Sequence, residues 1–502
     1  MRNKVSDGAG KRVSSHNYVA FDLGAESGRV VLGTLTGKTL EIREFHRFAN
    51  RPVSISGTLR WDVLNILDEV KTGLGQVAAQ GHQIESMSTD SWGFDYVHFT
   101  KNEPMLSLPY HYRDPRTDGA LEKVLAIVPA DLIFSETGTQ FSQFNTLCQL
   151  LDDLRRRPVI IQSSEHFLNI GDYFNYLFSG VCRSEASLAS TTQLFNPRLR
   201  TWSAELIRHF NMPARIFPQI VPSGTKLGPL LPTYVEEVGV RNACVIASCS
   251  HDTAAAVAAV PTDGRDWAYV SSGTWSLLGV ELQNPIINGQ SQEHNFTNEV
   301  GYGGTIRFLK NLVGLWIVQE CRREWSRSGH SFSYDDLVRA AENATPLRSL
   351  INPADPRFTK PYEMPQKIIE YCRETRQDPP QTPGEVVRCV LESLALLYRR
   401  TLDEVSFVTG HRPRTLYVVG GGSKNRLLNQ LSANATQMIV LAGPSEATAI
   451  GNILVQAIAM GHLDSLNDLR HIVRNSFPLT EFRPEDHSLW SEAYDRFQRL
   501  PT

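Results

Sequence analysis

Tyr269-Val-Ser-Ser-Gly-Thr-Trp-Ser-Leu echoes Tyr18-Val-Ala-Phe-Asp-Leu-Gly-Ala-Glu-Ser-Gly-Arg at a separation of 251 residues, half of the 502-residue chain. Each stretch reads as a β-rich run that stops at Gly, Ser or Thr, where backbone N–H groups and hydroxyls approach phosphate oxygens without a bulky Cβ in the way. The first run, Tyr18 to Asp22, is followed by a second over Arg29 to Leu35, with Gly24 and Gly28 near the turn. That order is strand, turn, strand. A dinucleotide-binding half would instead open a helix after its glycines. The pairing of the two stretches predicts two like-built lobes that face one nucleotide.

Working outward, the length exceeds the size at which single cores stop growing and predicts two domains of roughly 250 residues. Hydrophobic residues at 41% and charged residues at 21% are those of a globular enzyme. Lys plus Arg number 50 against 53 Asp plus Glu, a net charge of −3 that supplies no basic field for nucleic acid or an anionic membrane. The run Arg155-Arg156-Arg157 reads as a solvated helix end. The longest fully apolar run, Ala254 to Val260, is far below the ~20 residues of a membrane span. Residues 1–17 lack the apolar centre of a secretory signal and read as a flexible tail, with an organellar transit peptide as the alternative. The seven cysteines are scattered, without C-x-x-C, which fits a reducing cytoplasm; Cys372 and Cys389 flank a Pro-rich stretch, and a bridge between them stays open. The 14 histidines contain no i, i+4 pair of the zincin type.

Further along, Ile84 to Asp90 and Tyr96 to Phe99 read as strands, and Ala243 to Ser248 as a buried strand that delivers Ser250-His251-Asp252-Thr253 to the start of an Ala-rich helix. Trp267 to Ser272 opens the second half, and residues 345–385 read as loop. Apolar spacing from Glu385 to Val408 predicts a helix capped by Gly410. Thr415 to Val419 reads as a strand feeding Gly420-Gly421-Gly422-Ser423 and a helix from about Asn425, the order in which a helix N-terminus attracts phosphate. A final helix is predicted from Ser445 through Ala459.

The strings His251-Asp-Thr-Ala, Ser271-Ser-Gly-Thr-Trp-Ser-Leu, Leu309-Lys-Asn and Gly443-Pro-Ser-Glu-Ala-Thr together resemble the FGGY carbohydrate kinases, in order and from about residue 18 to residue 483. The resemblance implies an α/β fold of two ribonuclease H-like, actin-like ATPase domains flanking a catalytic cleft. Residues 18–262 would carry sugar site and base, 263–483 the nucleotide, with 484–502 a C-terminal segment. It further implies ATP-dependent phosphorylation of a ketose at its primary O1 hydroxyl, with L-rhamnulose expected, L-fuculose or L-xylulose as alternatives, and a catalytically silent sugar sensor or actin-like ATPase as the reading from another class. The partners are then a sugar and ATP, with no nucleic acid, membrane or obligate protein partner.

Phosphoryl transfer needs positioned phosphates, a divalent metal and a base aimed at the attacking hydroxyl. The resemblance puts the base at Asp252; local sequence equally allows an N-cap there. It puts the sugar at Gly93, His251, Asp252, Thr253 and Asn311, with Trp92 nearby. Plain alternatives are a core role for Trp92 and a helix cap for Asn311. Nucleotide contacts fall on Ala25, Glu26, Ser27, Gly28, Arg29, Thr274, Gln319 and Gly421; taken alone, Gln319 reads as a surface residue and Gly420 to Gly422 as an empty flexible loop. Asp22 is expected to hold Mg²⁺ through water, since Mg²⁺ keeps most of its hydration shell.

Overall fold

The computed structural model describes residues 5–6 and 12–501. In chain order its main elements are β1 (Ser15–Leu23), β2 (Ser27–Thr36), β3 (Thr39–Ala49), α1 (Val63–Ala79), β4 (Ile84–Ser91), β5 (Thr225–Pro229), β6 (Cys244–Ala247) and α2 (Asp252–Ala258). There follow β7 (Trp267–Ser272), β8 (Trp275–Leu282), β9 (Ile306–Val313), α3 (Trp316–Arg327), α4 (Met364–Glu374), α5 (Pro383–Thr409), β10 (Thr415–Val419), α6 (Arg426–Thr436), β11 (Ile439–Ala442), α7 (Ala447–Met460), α8 (Leu466–Ser476), β12 (Thr480–Phe482) and α9 (His487–Gln498).

The chain forms two compact units, each discontinuous in sequence. The first gathers 1–261, 281–308 and 447–477; the second gathers 262–280, 309–446 and 478–502. Contiguous halves were the expectation, and no local signal in the sequence marks 281–308 or 447–477 as belonging with the first 261 residues.

The sheet of the first unit runs β5-β6-β4-β1-β2-β3. β1, β2 and β3 form an antiparallel meander, while β4 lies parallel to β1 and β6 parallel to β4. Tyr18 to Leu23 are all buried, as are Met87 to Ser91, so these strands are covered on both faces and carry apolar and small residues without alternation. α7 packs on β1, β4 and α2. The Ala-rich composition of α2 permits that closeness: a Cβ on Gly451 of α7 would lie 1.8 Å from the Ala255 carbonyl oxygen.

The second sheet has seven strands, with Thr297–Val300 at one edge followed by β9-β8-β7-β10-β11-β12. β7 and β8 form a hairpin with β10 parallel to β7 and β11 parallel to β10. This is the pattern of β2, β1, β4 and β6, so the echo between Tyr18 and Tyr269 marks the first strand of the same motif in each unit.

Several expectations change. The flexible tail gives way to β1 at Ser15, and Val5–Ser6 pairs with Arg12–Val13; residues 1–4 and 7–11 lie outside the described residues. The 345–385 stretch holds α4, which a Pro at its start and flanking prolines disguised as loop. The helix read as final is followed by α8 and α9. Arg157 is not solvated: its guanidinium pairs with buried Asp153 at 3.2 Å, while Arg155 and Arg156 are exposed. All seven cysteines are free thiols, with Cys372 buried on α4 and Cys389 buried on α5. Among the described residues no helix is long and apolar enough to cross a membrane.

Candidate active site

In the first unit, register alone assembles a charged cluster. The parallel pairing of β1 with β4 sets Asp22 beside Asp90, and the β1–β2 hairpin sets Arg29 opposite Asp22. Asp22 and Arg29 form an ion pair, so the residues expected to serve metal and phosphate are each other's partners in this state. Asp90 is wholly buried; its Oδ2 accepts a hydrogen bond from Asn452 Nδ2 of α7 at 2.5 Å, and its Oδ1 has no hydrogen-bond partner. Burial, then the charge of Asp22, hold its carboxyl well above the usual range against the pull of Asn452.

Asp252 enters from β6. A parallel bridge between Ser91 and His251 places the first turn of α2 at the end of β4. The N-cap of α2 is His251, so Asp252 is the first helical residue, not the cap. Its Oδ1 accepts from the Thr253 backbone N–H at 2.5 Å and the Thr253 hydroxyl at 3.1 Å. Burial, then the charge of Asp22, raise the carboxyl to about 7, although hydrogen bonds from Thr253 oppose the rise. The side chain keeps 31% of its surface open. It is thus a carboxylate poised near neutrality with one oxygen tied down.

Behind it, His251 Nε2 lies 3.4 Å from Asp252 Oδ1, and His251 Nδ1 lies 3.1 Å from the fully buried guanidinium of Arg307, whose other end forms a 3.0 Å ion pair with Glu299. Burial and Arg307 hold the His251 imidazole well below its ordinary pKa. Gly93 has Thr191 against it, with room so tight that a Cβ would come 3.1 Å from the Thr191 hydroxyl. Trp92 is buried, its indole N–H donating to Asp95 Oδ2 at 3.0 Å beside that of Trp61 at 2.5 Å. Asp95 is thereby a buried hub, raised to about 6 by burial. Trp92 therefore acts as a pinned aromatic of the core.

Residues 25–29 form the turn between β1 and β2 and the start of β2. Gly24 N donates to Ser27 O, and Asn50 binds this turn through Glu26 O and Gly24 O. Gly28 is demanded by packing, because a Cβ there would lie 2.1 Å from the Phe48 ring.

In the second unit Thr274 occupies the β7–β8 turn, and its carbonyl accepts from the N–H groups of Gly314 and Trp316 at the start of α3. Gln319 lies one turn on, with its Oε1 buried and lacking a hydrogen-bond partner. A Cβ at Gly420 would lie 3.1 Å from Ser272 O and one at Gly422 2.0 Å from Ser272 Oγ, whereas one at Gly421 would meet open space. Ser272, two residues before Thr274, is thus the neighbour of Gly420 and Gly422, and the Gly421–Lys424 turn precedes α6. Asn311 lies within β9, which removes the helix-cap reading.

Sequence reading missed Asp90, Glu299 and Arg307. Only the strand Asp90-Ser-Trp-Gly hinted at the first; an Arg in an apolar strand with a Glu eight residues earlier was the signal for the others. It also missed His16, Glu85 and His462, whose ligand atoms lie within 4.8 Å of one another. There the two imidazoles stack at 3.6 Å, and the His16 nitrogens already bond Glu85 and Ser14, so hydrogen bonds close the group. Asp22, Asp90 and Asp252 are linked differently: burial first, and then the charge of Asp22, raise the carboxyls of Asp90 and Asp252, and Asp90 beside Asp22 keeps one oxygen without a hydrogen-bond partner, the hard oxygen chemistry a divalent cation takes.

Family models for the N-terminal and C-terminal domains of the FGGY family of carbohydrate kinases match residues 17–259 and 268–460. The chain is 41% identical to a rhamnulokinase of Bacteroides thetaiotaomicron over 483 residues, 96% of this chain and 99% of that one. It is 41% identical over 486 residues to a rhamnulokinase of Pectobacterium atrosepticum, covering 96% of each. Among solved structures, a ligand-bound xylulose kinase from Lactobacillus acidophilus superposes with a TM-score of 0.79 at 13% identity, 97% of both chains being covered. A Plasmodium falciparum glycerol kinase with ADP gives 0.77 at 14%, covering 97% and 98%. These likenesses establish the architecture as the actin-like ATPase fold of sugar kinases.

Proposed function

The chain belongs to the FGGY family of carbohydrate kinases, and on that footing we propose that it transfers the γ-phosphoryl group of ATP to O1 of L-rhamnulose, giving L-rhamnulose 1-phosphate and ADP, as a step in L-rhamnose breakdown in the cytoplasm. The rhamnulokinase name borne by relatives alike over nearly the whole chain supports the sugar. The observation that carries the chemistry is Asp252, a carboxyl lifted to about 7 with Oδ1 tied to Thr253 and Oδ2 left to accept a proton.

In this reading Gly93, His251, Thr253 and Asn311 orient the sugar, and Asp252 takes the O1 proton as O1 attacks the γ-phosphorus. Ala25 to Arg29, Thr274, Gln319 and Gly421 hold the nucleotide. Residues 18–262 supply the base and, apart from Asn311, the sugar site; 263–483 supply the nucleotide site apart from Ala25 to Arg29; and 484–502 form a C-terminal segment. Asp22, with Asp90 beside it in register, would hold Mg²⁺, and the cation would offset phosphate charge when bound. Arg29, paired to Asp22 at rest, is the cation able to turn to the phosphates.

The test is an ATP-coupled assay over L-rhamnulose, L-fuculose, L-xylulose, D-xylulose and glycerol. L-Rhamnulose should give the highest kcat/KM, with L-fuculose, an epimer retaining most contacts, the best competitor. If glycerol or D-xylulose is phosphorylated faster, the sugar assignment fails while the kinase assignment stands.

A further inference from the structure

We propose that Arg307 and Glu299 are positioning residues that fix His251 as the neutral Nε2–H tautomer, so that its N–H faces Oδ1 of Asp252, 3.4 Å away, and leaves Oδ2 as the atom that takes the substrate proton. This rests on the reading of Asp252 as the base.

A guanidinium donates hydrogen bonds and accepts none. Arg307 is fully buried, and its Nε and NH2 groups donate to Val300 O at 3.3 and 3.2 Å. NH2 also faces His251 Nδ1 at 3.1 Å. Arginine has five N–H donors and no acceptor, so the nitrogen it meets must present its lone pair. A neutral imidazole has one proton, which then sits on Nε2, 3.4 Å from Asp252 Oδ1. A doubly protonated ring would set N–H against N–H in a site without solvent. The rival arrangement, Nδ1–H turned to Glu299 Oε2 at 3.5 Å, would set that N–H against the NH2 donor of Arg307 at 3.1 Å. Glu299, itself buried, is what allows a guanidinium to stay charged at this depth.

The consequence is a division of labour on one carboxylate. Oδ1 accepts from Thr253 N and Thr253 Oγ1, which hold the carboxylate plane, and His251 Nε2 lies 3.4 Å from the same oxygen. None of these reaches Oδ2. A base held by one oxygen presents the other at a fixed angle, and small losses of such alignment cost large factors in rate.

The experiment uses the whole protein with ¹⁵N-labelled histidine, and His251→Gln identifies the His251 signals. Two-bond ¹H–¹⁵N spectra of the substrate-free protein should show the proton on Nε2, unchanged from pH 6 to pH 9. In Arg307→Met/Glu299→Met, which removes both charges together, the ring should exchange tautomers, and kcat should fall about 10- to 100-fold with KM for ATP unmoved. Arg307→Lys, which keeps charge and one donor, should lose less and serves where the double variant folds poorly. A wild-type ring protonated on Nδ1, or full kcat in the double variant, overturns the proposal. The tautomer is read without sugar or nucleotide, so it is independent of the kinase reading; that reading fails separately, if Asp252→Asn retains turnover.

Discussion

Replacing Asp252 by Asn should have opposite effects on turnover and on stability, and both follow from one displaced pKa. A carboxyl raised from 3.8 to about 7 holds its proton more tightly in the folded than in the unfolded chain. Its stabilising contribution is therefore fully present below pH 3.8 and is lost as pH rises toward 7. The displacement corresponds to at most about 4 kcal/mol, and the open third of the side chain lets solvent reduce this to ~2 kcal/mol. Asn keeps the hydrogen bonds from Thr253 but carries no charge to repel Asp22. Urea unfolding of wild type and variant should accordingly give a difference near zero at pH 4 and a variant that is more stable at pH 8; the carboxyls common to both cancel in that difference. Turnover moves the other way. Without a base it should drop about 10²- to 10⁴-fold, about 3 to 5 kcal/mol of barrier. In the wild type, kcat/KM for the sugar at saturating ATP should fall by about tenfold per pH unit below 7, because only the ionised form accepts a proton. The residual rate of the variant over the same range corrects for the nucleotide's own titration. A flat wild-type profile from pH 6 to pH 8, or near-normal turnover in the variant, would refute the reasoning.

The glycines offer sharper geometric tests. Gly421→Ala places its methyl in open space and should leave Tm within a degree or two while raising KM for ATP, whereas Gly422→Ala drives a methyl into the Ser272 hydroxyl and should lose about 1 to 3 kcal/mol in urea unfolding. Gly451→Ala meets backbone, the Ala255 carbonyl at 1.8 Å, which no rotamer relieves; a loss of 3 kcal/mol or more is expected, and an unchanged unfolding midpoint would show that α2 and α7 are not packed this closely. Chelation of divalent cations should abolish turnover, and Mg²⁺ should restore it; activity that survives exhaustive chelation counts against Asp22 as a metal-holding residue.

Where local structure is written in contiguous residues, the sequence was sufficient. Strand, turn, strand at Tyr18 to Leu35, the delivery of Asp252 by a buried strand to an Ala-rich helix, the Gly410 cap and the β-run before the triple glycine all depend on local propensity and spacing, and they stand within a few residues of where they were read. The resemblance to a kinase family rested on these same strings. Tertiary structure decided everything that depends on register or on distant pairing. Asp90 becomes part of the charged cluster because β4 runs parallel to β1, a pairing 68 residues apart that no local pattern encodes. Arg307 and Glu299 look like an odd charge in a strand and a polar residue in a turn until folding buries both against His251. The pKa values belong to this second class as well. Local sequence at Asp252 allows a base or a helix cap, and only burial beside Asp22 lifts its carboxyl to about 7, since desolvation and like charge act through space rather than along the sequence.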